Sequence, residues 1–321
     1  MSIDKHEILY GMKKILVLLS SYNGGEYIEK QINSILEQEG VEVGLLIRDD
    51  GSSHNFLLFL DNLVSSHSNI ILLKEKNIGC AESYKRLMLM AFEEIPHYDY
   101  FAFADQDDYW MEDKLSTAVD CLSQYKDDQP VMYCSNLMLA DKDLRPMGVM
   151  RKNEETIPNN KIAGFLYNMA TGCTLVMNPT VIKMFHDYQP KNLHLHDSWI
   201  YYMCLYFGTV IYDSTPHILY RQHGKNVDGW PKSKWAFFKR KLKRLANENS
   251  YHADVMCKEF LSVYSERIPQ SEKKALNLMA NYRNNLCCKM QLLFLSNKYG
   301  IKRETLLKNL ILKTRIIINK L

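Results

Sequence analysis

Four short apolar runs mark the first third of the chain: KKILVLLSSYN (13–23), VGLLIRDDGSS (43–53), NIILLKEKN (69–77) and DYFAFADQDD (99–108). Each stops at polar or glycine-bearing residues, which predicts buried strands closed by loops. Between the first two runs, Ile28, Ile32, Ile35 and Leu36 fall at helical spacing, and between the last two Ala81, Tyr84, Leu87, Met88 and Ala91 repeat it. Strands alternating with helices predict an α/β fold, with a mainly parallel central sheet and right-handed crossovers. In such sheets the ligand lies beyond the carboxyl ends of the strands. The polar clusters at 20–24, 49–53, 77–79 and 105–108 all stand at those ends.

The middle of the chain is less regular. Strands are expected at 131–140, 171–178 and 208–214, completing the sheet and building the second half of a cleft. From residue 230 the pattern turns to amphipathic helix, beginning with KSKWAFFKRKLKRL (232–245) and ending with ETLLKNLILKTRIIINKL (304–321). The expected organisation is a domain over 1–229, with halves of about 12–125 and 126–229, followed by a helical region over 230–321.

Composition sharpens this picture. A chain of 321 residues, 46% apolar and 24% charged, can bury one large α/β core with an appendage. Its net charge of +3 conceals a split: residues 230–321 hold 20 Lys and Arg against 6 Asp and Glu, leaving 20 against 31 in the rest. A basic tail on an acidic globule calls for an anionic partner, membrane surface or nucleic acid. No nucleic-acid motif accompanies the charge, whereas Trp235, Phe237 and Phe238 among lysines suit a helix lying on an anionic bilayer. A solvated helix packed on the preceding domain remains the alternative. The eight cysteines form no CxxC pair and read as reduced thiols. The N-terminal apolar run is too short for a signal peptide, and WIYYMCLYFGTVIY (199–212) falls short of the ~20 residues of a membrane span. The expected location is cytoplasmic, peripheral at the inner face of the cell membrane.

The chemistry concentrates at the strand ends. Asp105, Gln106 and Asp107 form a DxD triplet, whose carboxylates either sit in a solvated turn or share a hard cation such as Mg²⁺ or Mn²⁺. In RDDGSS (48–53), Asp49 and Asp50 can accept hydrogen bonds from a base or ribose, and Gly51 permits a tight turn. Asp108 is expected to face away and cap the following helix, MEDKLSTAV (111–119).

Taken in order, SSYNGGEYIEKQINSILEQ, IRDDGSS, KNIGCAESYKRLM and FADQDDYW resemble the nucleotide-binding half of a family 2 glycosyltransferase of the GT-A fold. TGCTLVMN (171–178), HDSW (196–199) and YRQHGKNVDG (220–229) extend the resemblance to residue 229, and toward the bacterial rhamnosyltransferase-like branch. The resemblance implies an inverting, metal-dependent transferase with a C-terminal helical extension. It would move a sugar, L-rhamnose from a dTDP donor, to a lipid-linked or polysaccharide acceptor. Ser21, Tyr22, Asp49, Asp50 and Asn77 would then contact the nucleotide, Asp105 would face the sugar nucleotide and Arg221 would grip phosphate. Asp107 and His223 would hold Mn²⁺ or Mg²⁺. Asp197 would be the general base, with His196, Trp199 and Trp110 on the acceptor side. The branch usually reads His-Asp-Trp-Trp where this chain has Ser198. Asp197 also reads as a helix N-cap and His223 as a structural histidine. Two further readings compete: a phosphatase using Asp105 as nucleophile, which lacks the DxDx[TV] pattern at the first strand, and a non-catalytic sugar-nucleotide-binding or membrane scaffold subunit. Oligomeric state is left open.

Overall fold

The structure is a computed structural model and describes residues 11–151, 157, 160–166, 168–223, 253–295, 298, 301 and 306–319. The aromatic basic segment 232–245 lies outside the described residues. The chain divides into two units, one of residues 1–156, 169–187 and 195–223, the other of 157–168, 188–194 and 224–321.

The first unit is built on a nine-stranded sheet. Its opening strands are β1 (Lys13–Ser21), β2 (Val41–Asp50), β3 (Ile70–Glu75) and β4 (Tyr100–Ala104), linked by helices α1 (Ile28–Leu36), α2 (His54–Val64) and α3 (Cys80–Glu93). β3, β2, β1 and β4 lie side by side in that order and all pair in parallel. Both faces of this sheet are covered, so β1 and β4 read as unbroken apolar runs, with Ile15 to Leu19 and Phe101 to Ala104 fully buried. α1 covers one face with Ile28, Ile32 and Ile35. α3 packs Tyr84, Leu87, Met88 and Ala91 inward. α2 has no counterpart in the sequence reading, although Phe56, Leu60, Leu63 and Val64, which pack on the core, stand at helical spacing.

The remaining elements are β5 (Tyr109–Trp110), α4 (Lys114–Leu122), β6 (Val131–Ala140), β7 (Pro146–Val149), β8 (Val176–Met177), α5 (Pro179–Asp187), α6 (His196–Phe207) and β9 (Thr209–Arg221). The sheet continues from β4 through β8, β6 and β9 to β5, with β7 paired to β6. β8 is antiparallel to both β4 and β6, whereas β9 runs parallel to β6. The strand expected at 171–178 is thus mostly a 3-10 turn, Gly172–Thr174, with only two residues in the sheet. The strand expected at 208–214 runs on to Arg221, because Leu219 and Ile218 pair with Tyr109 and Trp110.

The strand order contains the feature that positions the site. The chain winds outward from β1 to β3, then returns past β1 to β4, making a switch point between the carboxyl ends of β1 and β4. The antiparallel pairing of β5 with β9 then carries the end of β9 back to the residues that follow β4.

The second unit is helical. A turn at Lys161–Gly164 is capped by Asn160, whose side chain accepts from the amides of Ile162 and Ala163. Then come α7 (Ala253–Tyr264), α8 (Gln270–Asn281), α9 (Leu286–Leu295) and α10 (Leu306–Ile317). Its core gathers Phe165, edge-on to Phe260, and Tyr264, tilted against Phe260, with Arg283 paired to the buried Asp254 at 3.2 Å. Among the described residues no helix is long and apolar enough to cross a membrane. The eight cysteines are free thiols.

Candidate active site

Three loops meet at the switch point and are stapled by side-chain hydrogen bonds. Asn23 lies in the left-handed region (φ 45°), a conformation asparagine tolerates, and so turns the chain out of β1. Its amide donates to Ser52 Oγ at 2.8 Å, and its side-chain oxygen accepts from the amide of Ser53 at 3.0 Å. Gln106, the middle residue of the DxD, accepts from the Tyr22 amide at 2.9 Å and donates to the Tyr22 carbonyl at 3.2 Å. The Tyr22 ring is left exposed. Ser21 is buried beneath it.

The two aspartates after β2 turn inward. Asp49 accepts from the amide and hydroxyl of Ser52, at 2.8 and 2.5 Å. Asp50 accepts from Arg48 at 2.6 Å and from the amides of Ile78 and Gly79 at 2.8 and 2.9 Å. Expected as nucleoside contacts, both carboxylates are here engaged in shaping their loops. Asn77 stands exposed beside Gly51, its amide in the space a Cβ on that glycine would occupy.

The acidic cluster follows β4. Tyr84, reaching across from α3, donates to the Ala104 carbonyl at 2.7 Å and lies 3.3 Å from Asp105 Oδ1. The Tyr84 ring also meets α6: it stacks on His196 at 3.7 Å between centroids, and Phe103 meets that imidazole edge-on. The N-terminus of α6, with Asp197 in its first turn, is thereby pinned beside the DxD. Asp105 feels burial first, then the charges of Asp107 and Asp197, and its pKa is pushed up to about 7. Burial likewise raises Asp197, partly opposed by hydrogen bonds from the Ser198 amide and hydroxyl and the Gly172 amide. Burial drives His196 down to about 3, which keeps it a neutral packing ring.

β9 delivers the remaining groups. His223 Nε2 lies 2.7 Å from Asp107 Oδ2, and its ring stacks on Tyr27 at 5.1 Å. Arg221 is enclosed: its guanidinium donates to the carbonyls of Asp107 and Lys142 at 2.8 and 2.6 Å and sits 4.5 Å from the Tyr27 ring centre. Expected to grip phosphate, it is buried here and braces the DxD loop through Nε and Nη1. Trp110 and Trp199, expected on the acceptor side, are both fully enclosed, Trp110 within the apolar core and under the Lys114 ammonium.

Asp108 corrects a sequence expectation. Rather than capping α4, it is buried, accepts from the Arg221 amide at 3.2 Å and hydrogen-bonds the Cys173 thiol. Burial and then the charges of Asp105 and Asp107 hold its pKa well above the carboxylate range. It faces inward because Tyr109 and Trp110 pair with β9, which draws the preceding residue under the sheet.

Two donor sets thus offer themselves to a cation. Asp105, Asp108 and Cys173 lie within 4.8 Å of one another. Asp108 and Cys173 are enclosed, and burial favours the protonated form of each, so this partly sulfur set suits a hard cation poorly. Asp107 with His223 is more open and suits a divalent ion better, with Asp105 alongside. The mutual repulsion of Asp105, Asp107 and Asp197 is what such an ion would relieve.

Comparison with known proteins is consistent with this geometry. Residues 16–187, more than half of the chain, match the family described as glycosyl transferase family 2. The chain belongs to the family 2 glycosyltransferases. It is 31% identical over 237 residues to the dTDP-rhamnosyl transferase RfbG of Shigella flexneri, spanning 71% of this chain and 78% of that one. The fold of this transferase is also that of S. aureus TarS 1-349, with TM-score 0.55 at 14% identity over 96% of this chain and 78% of that one. TarS 1-349 in complex with UDP-GlcNAc superposes with TM-score 0.52 at 13% identity, over 94% and 90% of the two chains. The architecture is therefore GT-A.

In this family 2 transferase several site residues escape sequence reasoning. Gln106, Tyr84, Tyr27 and Cys173 carry no chemistry that a motif would flag, and their partners lie far along the chain, from Ala104 for Tyr84 to His223 for Tyr27. A faint signal existed for all four, since each lies inside one of the quoted motif blocks.

Proposed function

We propose that this transferase is inverting and metal-dependent, and that it moves L-rhamnose from a dTDP donor to a hydroxyl on a lipid-linked or polysaccharide acceptor. The observation that carries the reading is the convergence of three separate elements on one spot: Asp105 and Asp107 after β4, His223 after β9 and Asp197 on α6. The rhamnosyl donor is supported by the likeness to RfbG.

Asp197 takes the proton of the acceptor hydroxyl while its oxygen attacks the anomeric carbon. The bond from that carbon to the diphosphate oxygen breaks on the opposite face, and the electron pair leaves with the nucleoside diphosphate. The raised pKa of Asp197 suits a base that must hold this proton. Asp107 and His223, with Asp105, would hold Mn²⁺ or Mg²⁺, which when bound offsets charge on the departing diphosphate. The exposed Tyr22 ring and the loops held by Asp49 and Asp50 form the bed for base and ribose.

The test is a transfer assay with dTDP-rhamnose and UDP-GlcNAc, with Mn²⁺, Mg²⁺ or chelator. Asp107→Ala should abolish metal-dependent transfer, and Asp197→Asn should reduce turnover by about 10²–10⁴-fold with donor binding retained. Full activity in Asp197→Asn would remove the base assignment. Activity indifferent to chelator and to Asp107→Ala would remove the metal.

A further inference from the structure

The outer faces of α9 and α10 hold large apolar side chains that stand exposed among the described residues. On α9, Leu286, Met290 and Phe294 recur every four residues and so share one face, with Leu286 and Phe294 each 74% exposed. On α10, Leu310 and Ile317 are 63% and 58% exposed, with Ile318 following. These are not core residues facing the wrong way, because each helix also buries a second set: Leu292 on α9, and Leu312 and Ile316 on α10. The two helices are held together, since Lys289 donates to the Ile317 carbonyl at 2.7 Å and to Asn319 Oδ1 at 3.0 Å.

We propose that α9 and α10 form a face that docks on an anionic lipid surface. Two observations choose that occupant. From residue 286 to the end the chain carries eight Lys and Arg and a single acidic residue, Glu304. Exposed Lys298 and Lys313 belong to that set. Apolar rows among cations match a headgroup layer, in which the chains sink below the anionic boundary and the ammonium groups stay at it. A second copy of this chain would bring the same cations against one another, which is unfavourable. At ten and twelve residues, the helices are also too short to span the ~30 Å of a bilayer core and would lie in its plane.

This inference goes beyond the transferase reading and stands without it, because lipid binding is measured with neither donor nor acceptor present. The full chain is sedimented with phosphatidylcholine vesicles, with and without phosphatidylglycerol, at low and high salt. The expected result is binding to the anionic vesicles that weakens with salt, and that falls about tenfold in the Phe294→Ser/Leu310→Ser double variant. Lys298→Glu/Lys313→Glu should weaken it comparably. All four positions are exposed, so thermal melting of the variants should match the parent and separates lost docking from lost folding. Three results would overturn the proposal: no preference for anionic vesicles, undiminished binding by the serine variant, or a parent dimer in solution that the serine variant dissociates, which would assign the face to a second copy.

Discussion

Asp197 sits under opposing influences. The first turn of α6 favours an anion through its free amides and dipole, while burial favours the neutral acid, and burial prevails. As a base it acts only when deprotonated, so kcat/KM should fall as pH drops through its raised pKa, with the acid limb above the ordinary carboxylate range. A pH profile of transfer checks this, and Asp197→Asn should lack that limb. Gly172 adds a constraint on the same carboxylate: a Cβ there would stand 3.0 Å from His196 Nε2 and 3.6 Å from Asp197 Cβ. Gly172→Ala should therefore lower kcat more than donor affinity, as steady-state kinetics would show. Lys114 illustrates a cost away from the chemistry. It is buried against the Trp110 ring, without a hydrogen-bond partner for Nζ among the described residues, and burial lowers its pKa from 10.5 to about 7. Below the folded value the buried cation bears its full penalty. Between the folded and unfolded values the unfolded chain binds the extra proton, so stability should rise with pH across that window. Lys114→Met should stabilise the fold by about 1–4 kcal/mol near neutrality and flatten that rise, as thermal melts across pH would show. At this scale Asp105 and Asp107 were legible from the strand end on which they stand, and Asp197 and His223 only from the family resemblance. The inward turn of Asp108 was not, since an aspartate beside a helix start looks the same whether it caps or is buried.

At the scale of elements, strand ends do the positioning and tight turns set their spacing. Gly51 adopts φ +78° after β2, and a Cβ there would lie 2.6 Å from the amide of Asn77, a backbone atom with no freedom to yield. Gly51→Ala should cost about 1–3 kcal/mol and weaken nucleotide binding, measured by thermal melting and by titration. The parallel elements β1 to β4, with α1 and α3, were readable from apolar runs and helical periods, because burial on both faces leaves an unbroken signature. β5, two residues long, lacks enough length to show any pattern and is defined only by its partner, and of the strand expected at 171–178 only the two residues of β8 pair. Yet β5 is what brings His223 to Asp107, so the least legible strand assembles the candidate metal site.

At the scale of the molecule, donor choice should appear as differential stabilisation of the folded state. In a melting panel of nucleotide sugars with Mn²⁺ or Mg²⁺, dTDP-rhamnose should raise Tm by the largest margin. At a concentration of about 100 Kd the stabilisation is about 2.7 kcal/mol. A larger shift with UDP-GlcNAc would reassign the donor. The linear order of residues determined the family, the alternation of strands and helices, the acidic character of the first 229 residues and the basic character of the rest, because composition and periodicity are local properties. Only the tertiary structure decided which charges point at one another. The return of β9 alongside β5 enclosed Arg221 as a brace and buried Asp108, and the stacking of Tyr84 on His196 set Asp197 beside Asp105. Those outcomes depend on pairings between residues more than 80 positions apart, and the physical reason they stay hidden is that such contacts leave no period in the sequence.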